Sequence, residues 1–160
     1  GSKPRSVINS LFLDPEALEQ HNFHLARKYK AMERDEVRYK TYGAEDEADV
    51  LIVAYGTVAR VCSSALEELE DAGIKASMVR PVSLFPFPYQ AVRDAAAKAK
   101  TVLVVELSMG QMIEDVRLAL DGSKPIHFLN RVGGMLVSPD AVVEKITAIA
   151  EGTSEEVVHA

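Results

Sequence analysis

The run Asp49-Val50-Leu51-Ile52-Val53-Ala54-Tyr55-Gly56 decides the fold. From Val50 to Tyr55 it is apolar without alternation and of strand length, the pattern of a strand covered on both faces rather than one with a solvated side. Gly56 ends it, and the period then changes. Val58, Val61, Cys62, Ala65, Leu66 and Leu69 recur at offsets of 3, 4, 7, 8 and 11 from the first, with the acids facing away and Gly73 as C-cap. A buried strand feeding an amphipathic helix is the opening of a βαβ unit.

The alternation continues downstream. Lys75 to Arg80 (KASMVR) supplies a second strand, and Pro81-Val-Ser-Leu-Phe-Pro-Phe-Pro88 a stiff loop leading to a helix at about 88–99. Thr101-Val-Leu-Val-Val-Glu-Leu107 is a third strand, again continuous in Val and Leu. Ser108-Met-Gly-Gln111 turns into a helix carrying Met112, Ile113, Val116 and Leu120 and closed by Asp121-Gly122. Pro125 to Asn130 is a fourth strand and Arg131-Val-Gly-Gly134 a loop. Ser138-Pro139-Asp140 caps a last helix with Val142, Val143, Ile146 and Ile149 inward. Residues 49–152 therefore read as an α/β domain of three layers, a mainly parallel sheet of four to five strands with helices on both faces, and 153–160 as a frayed tail.

Upstream the character differs. After a short apolar run (Val7, Ile8, Leu11, Phe12, Leu13), Asp14 as N-cap, Pro15 and Glu16 start a long polar helix. Its stripe of Leu18, Leu25, Tyr29, Met32 and Val37 is too narrow to bury much surface, so it reads as an arm that lies on something else. Tyr42 to Asp49 (YGAEDEAD) reads as a linker, which makes 1–48 an arm and linker.

The composition bounds the function. With 160 residues, 48% hydrophobic and 26% charged, the chain has the make-up of one globular domain rather than a disordered one. The net charge of −6 is spread evenly over both halves, and the densest basic run, Arg27 to Lys40, is interleaved with Glu33, Asp35 and Glu36. A nucleic-acid surface needs clustered cations and is not expected. The single Cys62 forms no internal disulfide and no stretch has the length of a membrane span, which makes the cytoplasm the expected location.

Ligands of open α/β sheets bind beyond the carboxyl ends of the strands, at Gly56, Pro81, Ser108 and Arg131 here. Tyr55-Gly56-Thr57 lacks the further glycines of a dinucleotide site, and no Gly-Lys-Ser/Thr follows a strand. The most informative loop is Glu106-Leu-Ser-Met-Gly-Gln111. It sets Glu106, Ser108, Gly110 and Gln111 where free N–H groups begin a helix, an arrangement suited to an anion or polar partner. Equally, Ser108 can cap the helix while Glu106 forms a local salt bridge. Arg131 with Gly133 and Gly134 allows close approach of a partner backbone or simply a tight turn. His21 and His24 share a helix face without completing a metal set, His127 reads as a satisfied strand residue, and Cys62 as a buried hydrophobe. No Ser/His/Asp set and no metal-spaced cysteine cluster can be assembled, so no catalytic residue is assigned.

The order Asp49 to Gly56, helix, Gly73-Ile-Lys-Ala-Ser-Met-Val-Arg-Pro81, Leu84-Phe-Pro-Phe-Pro88 and Thr101-Val-Leu-Val-Val-Glu106 resembles the C-terminal domain of transketolase-like, thiamin-diphosphate enzymes. Val105-Glu-Leu-Ser-Met-Gly-Gln-Met-Ile-Glu-Asp-Val-Arg117, followed by Arg131-Val-Gly-Gly134, narrows this. It is similar to the alpha subunit of 2-oxoacid:ferredoxin oxidoreductases of the 2-oxoisovalerate (2-ketoisovalerate) and 2-oxoglutarate types. Val7-Ile-Asn-Ser-Leu-Phe-Leu-Asp-Pro15 is similar to the segment that in this family follows a pyrimidine-binding domain.

The resemblance implies a holoenzyme that oxidatively decarboxylates a 2-oxoacid to its acyl-coenzyme A and reduces ferredoxin. Thiamin diphosphate, magnesium and iron–sulfur clusters would be held by other domains or subunits. It implies as partners a preceding domain of the same subunit, a beta subunit and a small ferredoxin-like subunit, and a homodimer is also compatible. On this reading the chain is a non-catalytic structural and docking domain, with Glu106–Gln111 and Arg131–Gly134 as interface loops. The other reading open to the residues is a free-standing small-molecule module with an anion at the helix start after Ser108.

Overall fold

A computed structural model describes Arg5 and residues 11–156. Val7 and Ile8 of the first apolar run, and 157–160 of the tail, lie outside the described residues. The chain forms two compact units, 1–36 and 37–160.

The first unit is dominated by α1 (Pro15–Asp35), started as its sequence dictates. The Asp14 carboxylate accepts from the Glu16 N–H, Pro15 occupies the first turn, and Arg34 lies in the last. Within the unit no residue of α1 is fully buried, in keeping with its narrow stripe. The helix ends at Asp35, short of Val37.

The second unit holds a five-stranded sheet in the order β1-β3-β2-β4-β5. Its strands are β1 (Tyr39–Gly43), β2 (Ala48–Ala54), β3 (Ala76–Pro81), β4 (Ala99–Glu106) and β5 (Ile126–Asn130). The helices are α2 (Gly56–Asp71), α3 (Tyr89–Ala97), α4 (Met112–Leu120) and α5 (Pro139–Ala150). All pairings are parallel except β1 with β3.

The expected linker begins in the sheet. Tyr39 to Gly43 pairs antiparallel with β3, register Tyr42↔Met78, so the sheet starts upstream of residue 49. The reason lies at Gly43. Its φ is +80°, and a Cβ there would collide with the Ala76 carbonyl, to which the Ala44 N–H donates. A glycine read as linker composition is thus the point where two backbones close on each other.

The continuous apolar runs behave as expected of strands with two buried faces. Leu51 and Val53 of β2, with Val102 and Val104 of β4, join the core shared with α3 and α4. Val50 and Ile52, with Leu103 and Val105, join the core shared with α2 and α5. Leu51, Ile52 and Leu103 are wholly inaccessible, each contributing about 1.5–3 kcal/mol relative to exposure. Gly73 closes α2 as predicted: its N–H donates to the Glu70 carbonyl and that of Ile74 to Leu69, a Schellman pattern with Ile74 and Leu69 in one core.

The described part of the tail, 153–156, follows α5 closely. The N–H groups of Thr153 and Ser154 both reach the Ala148 carbonyl, and His127 Nδ1 lies 2.9 Å from the Glu155 carbonyl oxygen.

The crossovers fix where a site could be. β2 to β3 moves one way across the sheet and β3 to β4 jumps back over β2, so the winding reverses between β2 and β4. In open α/β sheets that switch point opens a crevice at the carboxyl ends. The loop after Glu106 follows β4, one of the two strands at that switch point.

Candidate functional site

At the end of β4 the chain must turn from sheet into α4, whose first N–H groups have no partners within the helix. Glu106 supplies them. Its Oε1 accepts from the Ile113 N–H at 2.9 Å, and its Oε2 from Met112 at 3.0 Å, Gln111 at 3.2 Å and the Ser108 hydroxyl at 2.8 Å. The side chain is fully inaccessible. Burying a carboxylate costs several kcal/mol unless its lone pairs are satisfied, and here four donors satisfy them.

This corrects both expectations for the loop. The helix start after Ser108 does not await an anion from outside, since the protein's own carboxylate fills it. Nor is Ser108 the helix cap: its hydroxyl donates to Glu106 and accepts from the Gly110 N–H at 3.2 Å. Glu106 forms no local salt bridge with any described cation; its partners are N–H groups and one hydroxyl. The Gln111 side chain makes no cap either. Gly110 has φ +107°, and a Cβ there would stand 3.1 Å from Ile113 Cγ2 and 3.5 Å from Phe128 Cζ, so the loop lies tightly on β5.

The second candidate loop is joined to the first. The Asn130 amide donates to the Ser108 carbonyl at 2.7 Å and the Arg131 N–H to the Glu106 carbonyl at 3.2 Å. Sequence reasoning missed Asn130, the residue that ties the two loops together. Beyond it the chain turns, with the Met135 N–H donating to the Val132 carbonyl. Gly133 and Gly134 both have positive φ and open space where a Cβ would sit. A tight turn therefore accounts for both glycines within this chain, and Arg131 is exposed beside them.

The structure thus brings Glu106, Ser108, Gly110 and Gln111 to one loop and Arg131, Gly133 and Gly134 to its neighbour. The other singled-out residues lie elsewhere. His21 stacks on Phe12 with centroids 4.5 Å apart and stands 6.3 Å from His24. His127 is buried and satisfied by the Glu155 carbonyl. Cys62 is inaccessible in the core under α2, and burial pushes its thiol up to about 12. A cavity of about 530 Å³ lies against β1, β3 and the C-terminal part of α3, lined by Thr41, Ser77, Val79, Asp94 and Lys98 among others, and holds none of the candidates.

Among the described residues no three His, Cys, Asp or Glu side chains come together to hold a metal ion. With Cys62 as its single cysteine, the sequence does not supply the about four thiolates that an iron–sulfur cluster needs. No helix among the described residues is long and apolar enough to cross a membrane.

Comparison with known proteins places this geometry in a family. Residues 48–142, more than half of the chain, match the model for pyruvate:ferredoxin oxidoreductase core domain II. The chain belongs to that family. The core domain II stretch runs from the first residue of β2 into the start of α5 and contains both loops. The chain is 42% identical over 146 residues to the ketoisovalerate oxidoreductase subunit VorB of Methanothermobacter marburgensis, a match covering 91% of this chain and 41% of that one. It thus spans about two fifths of the length of this relative. Among solved structures, the 2-oxoglutarate:ferredoxin oxidoreductase of Magnetococcus marinus, with 2-oxoglutarate, coenzyme A and succinyl-CoA bound, aligns with a TM-score of 0.69 at 22% identity, over 85% of this chain and 24% of that one. A split-gene transketolase, an inactive β4 tetramer, aligns with a TM-score of 0.55 at 22% identity, over 68% of this chain and 40% of that one. These two likenesses establish the fold expected from the transketolase-like pattern. The chain accordingly carries the core domain II of this family in residues 48–142.

Proposed function

We propose that this chain is the non-catalytic structural and docking domain of the alpha subunit of a 2-oxoacid:ferredoxin oxidoreductase of the 2-ketoisovalerate or 2-oxoglutarate type. The whole enzyme oxidatively decarboxylates a 2-oxoacid to its acyl-coenzyme A and passes the electrons to ferredoxin in the cytoplasm. Thiamin diphosphate, magnesium and the iron–sulfur clusters are held by other parts of the assembly, among them a preceding domain of the same subunit, a beta subunit and a small ferredoxin-like subunit. The observation that carries this reading is the 42% identity to a ketoisovalerate oxidoreductase subunit along nearly the whole chain. The self-capped start of α4 supports docking over ligand binding, because the N–H groups of residues 111–113 already have an acceptor.

In this assembly Gln111 and Arg131, at the rims of the two joined loops, face a neighbouring domain or subunit. Replacing both by Ala in the whole enzyme is expected to lower the yield of assembled complex or its turnover roughly fivefold, the effect of losing about 1 kcal/mol of interface. An enzyme unchanged in both would show that these residues do not dock.

A further inference from the structure

The loops at the carboxyl ends of β3, β4 and β5 share a feature that neither Glu106 nor the glycines explain. Between residues 37 and 156, every exposed large hydrophobic side chain except Tyr39 and Leu118 lies in 82–87, 107–111 or 131–137. Those three stretches hold 18 residues, of which Arg131 alone is charged, in a chain 26% charged overall. Loops meant for water carry polar and charged groups, whereas exposed apolar groups without charge form the centre of a lasting interface.

The stretches are distant in sequence and adjacent in space. Glu106 pairs with Asn130 at the ends of β4 and β5, and the hydrogen bonds of Asn130 and Arg131 hold those two loops together. β3 lies on the far side of β2 in the same parallel array, three strand spacings from β5, about 14 Å. On this end of the sheet Met109 is 80% exposed and Leu136 70%, with Leu84, Leu107, Val132 and Met135 also outward. Met109 does not stand out by chance of a loose loop: Ser108 before it is tied to Glu106, and Gly110 after it to Ser108.

We propose that this apolar end of the sheet is the seat of the remaining part of its own subunit, docked through a face that is likewise apolar. The proposal rests on the docking-domain reading and deepens it, since contact is made by apolar side chains of three loops and Gln111 and Arg131 only border it. The relative VorB carries about three fifths of its length beyond the stretch matched by this chain, ample to cover such a face. A contact within one chain never has to come apart in water, which is the condition under which exposed Met and Leu are tolerated. A partner that comes and goes, or an anionic ligand, would call for more charge than the single Arg131 that these loops carry.

The test uses the full-length subunit in its assembled enzyme. Met109→benzoylphenylalanine, a photoreactive substitution at an exposed position, is expected on irradiation to crosslink within its own subunit, to residues outside the stretch described above. A crosslink to a different subunit, to a second copy, or to nothing overturns the proposal. In parallel, Met109→Lys combined with Leu136→Lys is expected to reduce the recovery of assembled enzyme on gel filtration by more than about tenfold, while Leu118→Lys, exposed on α4, leaves it unchanged. Full recovery of the lysine pair also overturns the proposal. Failure of the docking-domain reading looks different. The unmodified complex would then oxidise no 2-oxoacid with ferredoxin, whatever the crosslink shows.

Discussion

Glu106 gathers its four donors from residues 2, 5, 6 and 7 positions further along the chain, all closing on one side chain at the end of β4. Its acceptor capacity is what the loop uses. A Glu106→Gln chain keeps the shape but turns an NH₂ group toward N–H donors, leaving buried groups unsatisfied. We expect it to lose about 2–3 kcal/mol of stability in urea unfolding; a loss below about 0.5 kcal/mol would mean that the carboxylate is dispensable. In the sequence, a carboxylate near a helix start was visible, and so was a serine placed to cap it. Which of the two reaches the helix depends on the path of the turn through Gly110, which residue types alone do not specify. Cys62 was legible without ambiguity, because the helical period placed it on the apolar face, and its inaccessible thiol agrees.

At the scale of elements, buried strands announced themselves and the edge strand did not. β2 and β4 are apolar on both faces because helices cover both, so each appears as an unbroken run. β1 carries Tyr39-Lys-Thr-Tyr-Gly43, with only Tyr42 partly buried, and such a pattern has little to separate it from a loop. Asp49 gives these elements an electrostatic link. Its carboxylate accepts from Lys100 Nζ at 2.6 Å and from the Lys75 N–H at 3.0 Å, which joins β2 to β4 and to the segment before β3. The Lys100 bond first, then the Lys75 N–H, holds the Asp49 carboxyl below its ordinary value. A depressed carboxylate stabilises the fold above its unfolded value of about 4, and that contribution disappears as pH falls through the folded value. Lys100 is exposed, so the effect is modest. Asp49→Asn is expected to cost about 0.5–1 kcal/mol at pH 6 and progressively less as the pH is lowered, measured as the difference in denaturant unfolding between the two chains.

Over the whole molecule, class and the order of elements from β2 onward could be read from the alternation of buried runs with helical periods, but the strand order could not. β1-β3-β2-β4-β5 depends on which way each crossover turns, and local pattern is silent on that. The same limit hid the apolar end of the sheet. Leu84, Met109 and Leu136 look unremarkable one at a time, and only the topology sets their loops side by side. The signal that could have revealed them is the near absence of charge from three loops that all follow strands.

The filled start of α4 has a consequence for how this face meets its neighbour. A helix normally projects the equivalent of about half a positive charge from its N-terminus. Here the Glu106 carboxylate sits inside that field and cancels it at short range, so little of it reaches past the loop. Arg131 is the single charged residue of the three loop stretches, so the loops themselves supply little long-range field to guide or hold a partner at this end of the sheet. Association across it should therefore be indifferent to ionic strength. Raising salt from about 0.05 to 0.5 M shortens the screening length several-fold, yet the yield of the crosslink from position 109 within the subunit is expected to stay the same. A yield that falls with salt would mean that charges outside these loops carry the contact.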